Sequence, residues 1–289
     1  MKKLLIVLLA LLTLVGCTNK GGYSQVSDKD TVIFKSDKIT YTKADLYKSL
    51  KMDSVDAIMN DIILKIAEIQ GIKEEDIDAK YLEEVEEMKA SGIYDYYVQY
   101  MGSEEQMAIA LKTSIKFQEL KKMHIEEEFD ALVKEDVPVK MQVSSFADKE
   151  TADKCLKEIN EGSTFDMASI NNGYTTSSQE KVYFDSDDLP IEVKTYINDV
   201  STTNGLVKEP IETVKKSTET DGTETETKTY YLVNIIEKDP VNFKQDYIDA
   251  KTEKFDTQEL INILLSKYDI QFYDQDLYNA VTKEYEVLK

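Results

Sequence analysis

The sequence contains no arginine and no tryptophan, a single histidine and only two cysteines. Each shortage narrows what the protein can do. All 35 basic residues are lysines, set against 56 acidic ones, for a formal net charge of -21. Nucleic-acid binding needs a basic patch to meet phosphates, and this composition argues against it. The one histidine, His124, sits among glutamates in KKMHIEEEF. A lone histidine on a charged helix reads as a surface residue rather than a metal ligand. Asp185, Asp187 and Asp188 in DSDDLP lack the EF-hand spacing and its closing glutamate, so they read as a solvated acidic turn. No Gly-rich phosphate loop, no G-x-S-x-G and no paired-cysteine motif occurs. Neither a metal nor a cofactor is expected.

What the chain does have begins at its first residues. MKKLLIVLLALLTLVGC places two lysines before an apolar run, Leu4 to Val15, that ends on Gly16 and Cys17. A bilayer span takes roughly 20 apolar residues, so the run is short for a transmembrane helix and has the layout of a secretory signal peptide. Its ending, Leu14-Val15-Gly16-Cys17, resembles the bacterial lipobox, in which cleavage leaves the cysteine N-terminal and lipidated. Acyl chains hold a protein on a membrane at about 0.8 kcal/mol per buried CH₂. The polar stretch TNKGGYSQVSDKD that follows reads as a flexible tether. With Cys17 lipidated, Cys155 has no disulfide partner. Its place on the face of Ala152 and Ile159 predicts a buried structural thiol.

Hydrophobic residues make up 42% of the 289, enough for a sizeable core in two domains. Thr42 is a candidate N-cap, after which Leu46 and Leu50, then Val55, Ile58, Ile62, Ile66 and Ile69, keep helical spacing up to Gly71. A second, acidic helix is predicted from about Lys73 to Ala90. IYDYYVQYM lies between Gly92 and Gly102, and Ser103-Glu104-Glu105-Gln106 forms a capping box. Pro138 and Pro240 then bracket a segment of different character. VKMQVSSF, Val139 to Phe146, alternates apolar and polar residues as a half-buried strand does. A helix, the strand-like KVYF, a short helix near Glu192 to Ile197 and the buried strand YYLVNII follow. Between Lys215 and Thr229, threonines alternate with charges around Asp221-Gly222, which fits an exposed hairpin and equally a disordered loop. After Pro240 the helical pattern returns for about fifty residues, too few to stand alone, so they are expected to pack on the N-terminal helices.

Several stretches resemble the PrsA/SurA-type extracytoplasmic foldases. TVIFKSDKITYTKADLYKSLK is similar to the family's opening strand and first helix, and YMGSEEQMAIALKTSI to a later helix start. KYDIQFYDQDLYNA is similar to its ending. Within the middle segment, KETADKCLKEINEGSTFDMAS resembles the helix and turn of a parvulin domain, and GLVKEPIET with TYYLVNIIEK its closing strands. The resemblance implies an α+β protein: a discontinuous helical chaperone domain from both chain ends, with a parvulin-like α/β domain inserted. The expected divisions are a signal peptide at 1–16, lipidated cysteine and tether at 17–30, helices at 31–137, the insert at 138–240 and closing helices at 241–289.

Active parvulins use a histidine on the first strand of the sheet and another on the last. By the resemblance these fall at Met141 or Gln142 and at Tyr231 or Leu232, and with one histidine in the chain the pair cannot be present. The family's glycine-rich stretch before the next strand is replaced by SQEKVYF, so the insert is expected to be a degenerate isomerase. The implied function is chaperoning: binding unfolded or newly exported chains outside the membrane that the lipid anchor holds. The Arg-free, Lys-rich composition with a lipobox leans toward a Gram-positive cell surface. Ile93, Tyr94, Tyr96, Tyr97, Tyr100 and Met101 are the candidate client contacts, because tyrosine and methionine give adaptable amphipathic surface; helix packing is the competing role for the same six. An active prolyl isomerase and a solute-binding lipoprotein are the alternatives, and a homodimer is left open.

Overall fold

A computed structural model describes residues 27–35, 40–52, 55–174, 178–199, 201–218, 224–268 and 270–284. The signal peptide, Cys17, most of the tether and the Asp221-Gly222 turn lie outside the described residues. The chain mixes helices with a β-sheet and divides into two compact units. One is built from the residues up to Glu119 together with Asp256–Lys289, the other from Leu120–Phe255.

The first unit opens with a two-stranded ribbon, β1 (Val32–Lys35) and β2 (Thr40–Thr42), running into α1 (Lys43–Met52). Thr42 caps that helix reciprocally: its N–H donates to Asp45 Oδ2 at 2.8 Å, and Asp45 N–H donates to Thr42 Oγ1 at 3.3 Å. The bonds to Thr42 hold the Asp45 carboxyl below its ordinary pKa. Next come α2 (Val55–Ile69), α3 (Glu74–Ala90), α4 (Tyr94–Met101) and α5 (Glu104–Glu127), which is capped by Ser103 Oγ accepting from Gln106 N–H at 3.1 Å. Glu74 pairs with Lys116 and Asp78 with Lys112. Both pairs are four residues apart on their helices, in opposite order, so α3 and the start of α5 run antiparallel. The C-terminal part returns here as α11 (Thr257–Lys267) and α12 (Gln275–Glu284), which pack on α1 and α2. The core collects Met59, Ile63, Ile66 and Ala67 of α2 with Leu260, Ile261, Leu264 and Leu265 of α11.

The second unit holds an antiparallel sheet in the order β4-β3-β7-β5, with β6 also paired to β7. Its strands are β3 (Val139–Phe146), β4 (Lys181–Tyr183), β5 (Gly205–Leu206), β6 (Ile211–Thr218) and β7 (Glu224–Glu237). The two-residue period of β3 sorts its side chains between two cores. Val139, Met141 and Val143 join Val233 and Ile235 of β7 against Val193 and Ile197 of α9 (Ile191–Asn198). Phe146, with Tyr230 and Leu232 opposite, packs on α7 (Lys149–Asn160) and α8 (Phe165–Asn171) through Ala152, Cys155, Leu156, Phe165 and Ala168. Of the stretch from Lys215 to Thr229, the described residues are strand: β6 pairs antiparallel with β7 out to Thr218 opposite Glu224. The strand read from the sequence as Tyr230 to Ile236 therefore begins six residues earlier.

This unit is wider than the segment between Pro138 and Pro240. α6 (Phe129–Asp136) and α10 (Lys244–Lys254), which flank those prolines, belong to it. Tyr247 of α10 is fully buried, edge-on to Phe129 at 5.5 Å and 5.9 Å from Phe184, and its hydroxyl donates to Asp136 at 2.6 Å. Lys251 reaches the other Asp136 oxygen at 2.8 Å, and Lys140 of β3 pairs with Asp246 at 2.7 Å. The prolines mark where elements begin, and these contacts set where the unit ends.

One position in the sheet is locally unfavourable. Ser144 of β3 is fully buried opposite Leu232, and its hydroxyl has no hydrogen-bond partner. An unmade buried hydrogen bond costs about 1–3 kcal/mol. Ser144→Ala is therefore expected to stabilise the protein by about 1 kcal/mol, read as a higher denaturation midpoint at unchanged slope. A lower midpoint would refute this account of the site.

Candidate functional site

The centre of the sheet and the surface of α4 hold the side chains singled out in the sequence. On β3, Met141 is fully buried in the core under α9. Gln142 points to the opposite face. Its cross-strand partner is Asn234, whose Nδ2 donates to Gln142 Oε1 at 2.9 Å. Gln142 Nε2 in turn donates to the Ser178 carbonyl at 3.2 Å. Ser178 is buried and held by Asp166 of α8, which accepts from its N–H at 3.0 Å and its hydroxyl at 2.8 Å. Tyr231 and Leu232 lie opposite Ser145 and Ser144; Leu232 is core, and Tyr231 sits on the α9 face, half-buried.

The structure thus brings Gln142 to Asn234 and not to Tyr231 or Leu232. Sequence reasoning missed Asn234. The signal available was its polarity inside an apolar strand, on the same alternate face as Tyr230 and Leu232.

Chemically, this centre is an amide pair. Carboxamides donate and accept hydrogen bonds but carry no proton that titrates near neutral pH. Burial pushes the Tyr183 phenol up to about 12 and raises that of Tyr231, so both remain neutral donors. His124 lies on α5 with its ring edge-on to Phe255 at 5.4 Å. Cys155 is buried, its thiol raised by burial. Asp187 accepts from Phe184 N–H at 3.0 Å and pairs with Lys254, while Asp185 accepts from Asn198 at 3.3 Å. These acids brace a loop. Among the described residues no group of three or more His, Cys, Asp or Glu is placed to hold a metal ion.

The α4 helix has a different character. Gly92 and Gly102 stop the chain on either side, with φ of 74° and 92°. A Cβ on Gly102 would also meet Gln106 Oε1 at 2.8 Å. Between them, α4 buries none of its residues. Tyr96 is 66% exposed, Tyr100 73%, Ile93 43% and Tyr97 38%. Tyr94 and Met101 are half-buried, and Tyr94 is engaged by Lys89 over its ring at 5.2 Å and by its hydroxyl's 3.3 Å bond to Glu104. The rings of Tyr96 and Tyr100, one turn apart, stack at 6.3 Å, and Tyr97 meets Tyr96 edge-on at 5.7 Å. The arrangement offers three adjoining aromatic rings to solvent. Leu82 of α3 and Ile109 of α5 are also about 60% exposed. Sequence reasoning passed over both, although each departs from the apolar stripe of its own helix.

No protein-family model matches the chain, and no curated protein matches it. Among solved structures it is similar to the foldase protein PrsA from Streptococcus pneumoniae, at 18% identity and a TM-score of 0.43, over 88% of this chain and 99% of that one. It is similar to the PrsA foldase from Lactococcus lactis at 18% identity and a TM-score of 0.45, over 88% and 99% of the two chains. The peptidylprolyl isomerase PrsA from Bacillus cereus gives 18% identity and 0.42, over 89% and 99%. Over most of its length, then, this chain is similar to solved PrsA foldases.

Proposed function

We propose that the protein is an extracytoplasmic chaperone, anchored by lipid on Cys17, which binds unfolded segments of exported proteins and has no prolyl isomerase activity. The observation that carries this reading is the exposed tyrosine face of α4. Aromatic rings left in water on a helix with no buried residue contribute little to the fold and are suited to weak, sequence-tolerant contact. In this reading the helical unit made from both chain ends receives clients, and Leu120–Phe255 is the parvulin-like insert. An antiparallel sheet opened by β3 and closed by β6 and β7, with helices between, supports the second assignment.

The loss of isomerase chemistry is read from the Gln142–Asn234 pair. Turning a prolyl bond means overcoming a barrier of about 18–20 kcal/mol, and the two carboxamides paired at the centre of this sheet carry no proton that titrates near neutral pH. In a protease-coupled assay on a prolyl tetrapeptide, the chain is expected to leave the isomerisation rate at its uncatalysed value. Turnover above that rate would restore the enzyme reading. The chaperone reading is tested separately: at several-fold excess, the purified chain slows aggregation of an unfolded secreted protein. Unchanged aggregation would overturn it. Anchoring predicts that labelled palmitate enters the protein in cells and that Cys17→Ala abolishes the label.

A further inference from the structure

At the β4 edge of the sheet, β4 and the helix that packs on it, α10, do not close on each other completely. A cavity of about 510 Å³ lies between them, within the range of about 300–1,000 Å³ common for small-molecule sites. Both of its walls belong to the second unit, and neither member of the Gln142–Asn234 pair lines it.

Lysines tie the two walls together at two places. Lys140 of β3 reaches Glu180, just before β4, at 3.1 Å and Asp246 of α10 at 2.7 Å. Eight residues further along α10, Lys254 pairs with Asp187, which follows β4. A helix rises 1.5 Å per residue, so Asp246 and Lys254 are about 12 Å apart along the axis. Between these ties the lining includes the buried Val182 of β4 and the half-buried Ala250 of α10.

The remaining charges of the cavity decide what could occupy it. Asp249 is held by Lys122 at 3.1 Å. Lys181 of β4 and Glu253 of α10 also line the cavity, and neither forms an ion pair with the other or with any described residue. By the order of the ties, Lys181 belongs to the Lys140 end, next to Glu180, and Glu253 to the Lys254 end. An unpaired cation and an unpaired anion thus stand towards opposite ends of one cavity, with apolar wall between. A diamine would set an ammonium against Lys181, and a dicarboxylate would set an anion against Glu253. A ligand with a carboxylate at one end and an ammonium at the other meets both. An extended peptide advances about 3.3–3.6 Å per residue, so about three residues cover the 12 Å.

We propose that the cavity between β4 and α10 is a binding site for a short peptide, about three residues long with both ends free, its carboxylate at Lys181 and its ammonium at Glu253. An internal segment of an unfolded client carries neither terminal charge. The inference therefore uses no client contact and no isomerase chemistry, and it can fail without touching the proposed function.

The test is calorimetric titration of the full chain with trialanine, which should show saturable one-to-one binding. Each end contributes a charge-assisted hydrogen bond, so N-acetyl-trialanine and trialanine amide should each bind about 10-fold more weakly. Free alanine, too short to reach both charges, should bind more weakly still. Lys181 and Glu253 are exposed, and changing them should leave the fold intact. Lys181→Gln should weaken trialanine about 10-fold and abolish the difference between trialanine and its amide, while leaving the penalty for acetylation. Glu253→Gln should do the reverse, making acetylation harmless and leaving the penalty for the amide. A merely structural role for either residue would weaken all four ligands alike. That result, no saturable binding of trialanine, or equal affinity for free and blocked peptides would overturn the proposal. Tighter binding of 1,5-diaminopentane than of trialanine would overturn it too, and would give the cavity to cations instead.

Discussion

Replacing Tyr247 by alanine is expected to destabilise the Leu120–Phe255 unit by about 3–5 kcal/mol, the range for removing a large buried ring. Tyr247 is fully buried between Phe129 and Phe184, and its hydroxyl is held by Asp136 at 2.6 Å. The alanine variant therefore loses ring contacts on both sides and leaves a cavity where α6, α10 and the β4 end of the sheet meet. Tyr247→Phe keeps the ring, and Asp136 keeps Lys251 at 2.8 Å, so its cost should be only about 1 kcal/mol. Denaturant titration of the full chain measures the loss, with amide exchange of β3 and β7 assigning it to the right unit.

The two variants should also part in alkali. Burial, and then Asp136, raise the Tyr247 phenol above its ordinary pKa. A group whose folded pKa is raised contributes stability below its unfolded value and loses it as pH climbs past that value. Above about pH 10, the protein should lose about 1.4 kcal/mol per pH unit on account of this phenol. Tyr247→Phe should remove that slope, leaving the share due to the other raised phenols, Tyr183 and Tyr231 among them. An identical pH dependence in both proteins would mean that Tyr247 is not ionising on unfolding.

The same cluster explains what the sequence concealed. Helix starts were legible because capping is local: Thr42 and Ser103 make their cap bonds with residues three positions on. The alternation of Val139 to Phe146 was legible because a strand between two layers writes its burial into a period of two. The limits of the second unit were not. Its boundary falls inside the continuous helix α5, where no glycine or proline marks it, and α6 and α10 are recruited by contacts between residues more than a hundred positions apart. The Gln142–Asn234 pair was hidden for a related reason. Which residues of β3 and β7 face each other is a matter of register, and register across so long a connection leaves no trace in either strand alone. In β7 the first half, ETETKT, has no buried stripe because only β6 covers it, so it looked like loop.

For α4 the sequence left packing and client contact open, since its tyrosines share one broad side of an eight-residue helix and the pattern does not say whether that side meets core or solvent. The structure separates the six candidates by exposure, and that separation sets the size of a second effect. Changing Tyr96, Tyr97 and Tyr100 together to serine is expected to weaken binding of an unfolded client about 100-fold. An aromatic contact contributes about 0.5–1.5 kcal/mol beyond its area, and three such losses together come to about 3 kcal/mol, or two decades in affinity. The fold should hardly notice, because these rings are exposed and surface changes usually stay within about 0.5 kcal/mol. Tyr94→Ser is the contrasting case. Tyr94 is half-buried, under Lys89 and bonded to Glu104, so its loss should loosen the join between α3, α4 and α5 while leaving the three outer rings in place. Fluorescence anisotropy of a labelled, reduced and unfolded secreted protein reads the affinity, and thermal melting reads the fold. If the triple serine variant binds as tightly as the parent, the tyrosine face is not where clients are held. If it binds weakly but also melts early, the rings belong to the fold, and their exposure has been given the wrong meaning.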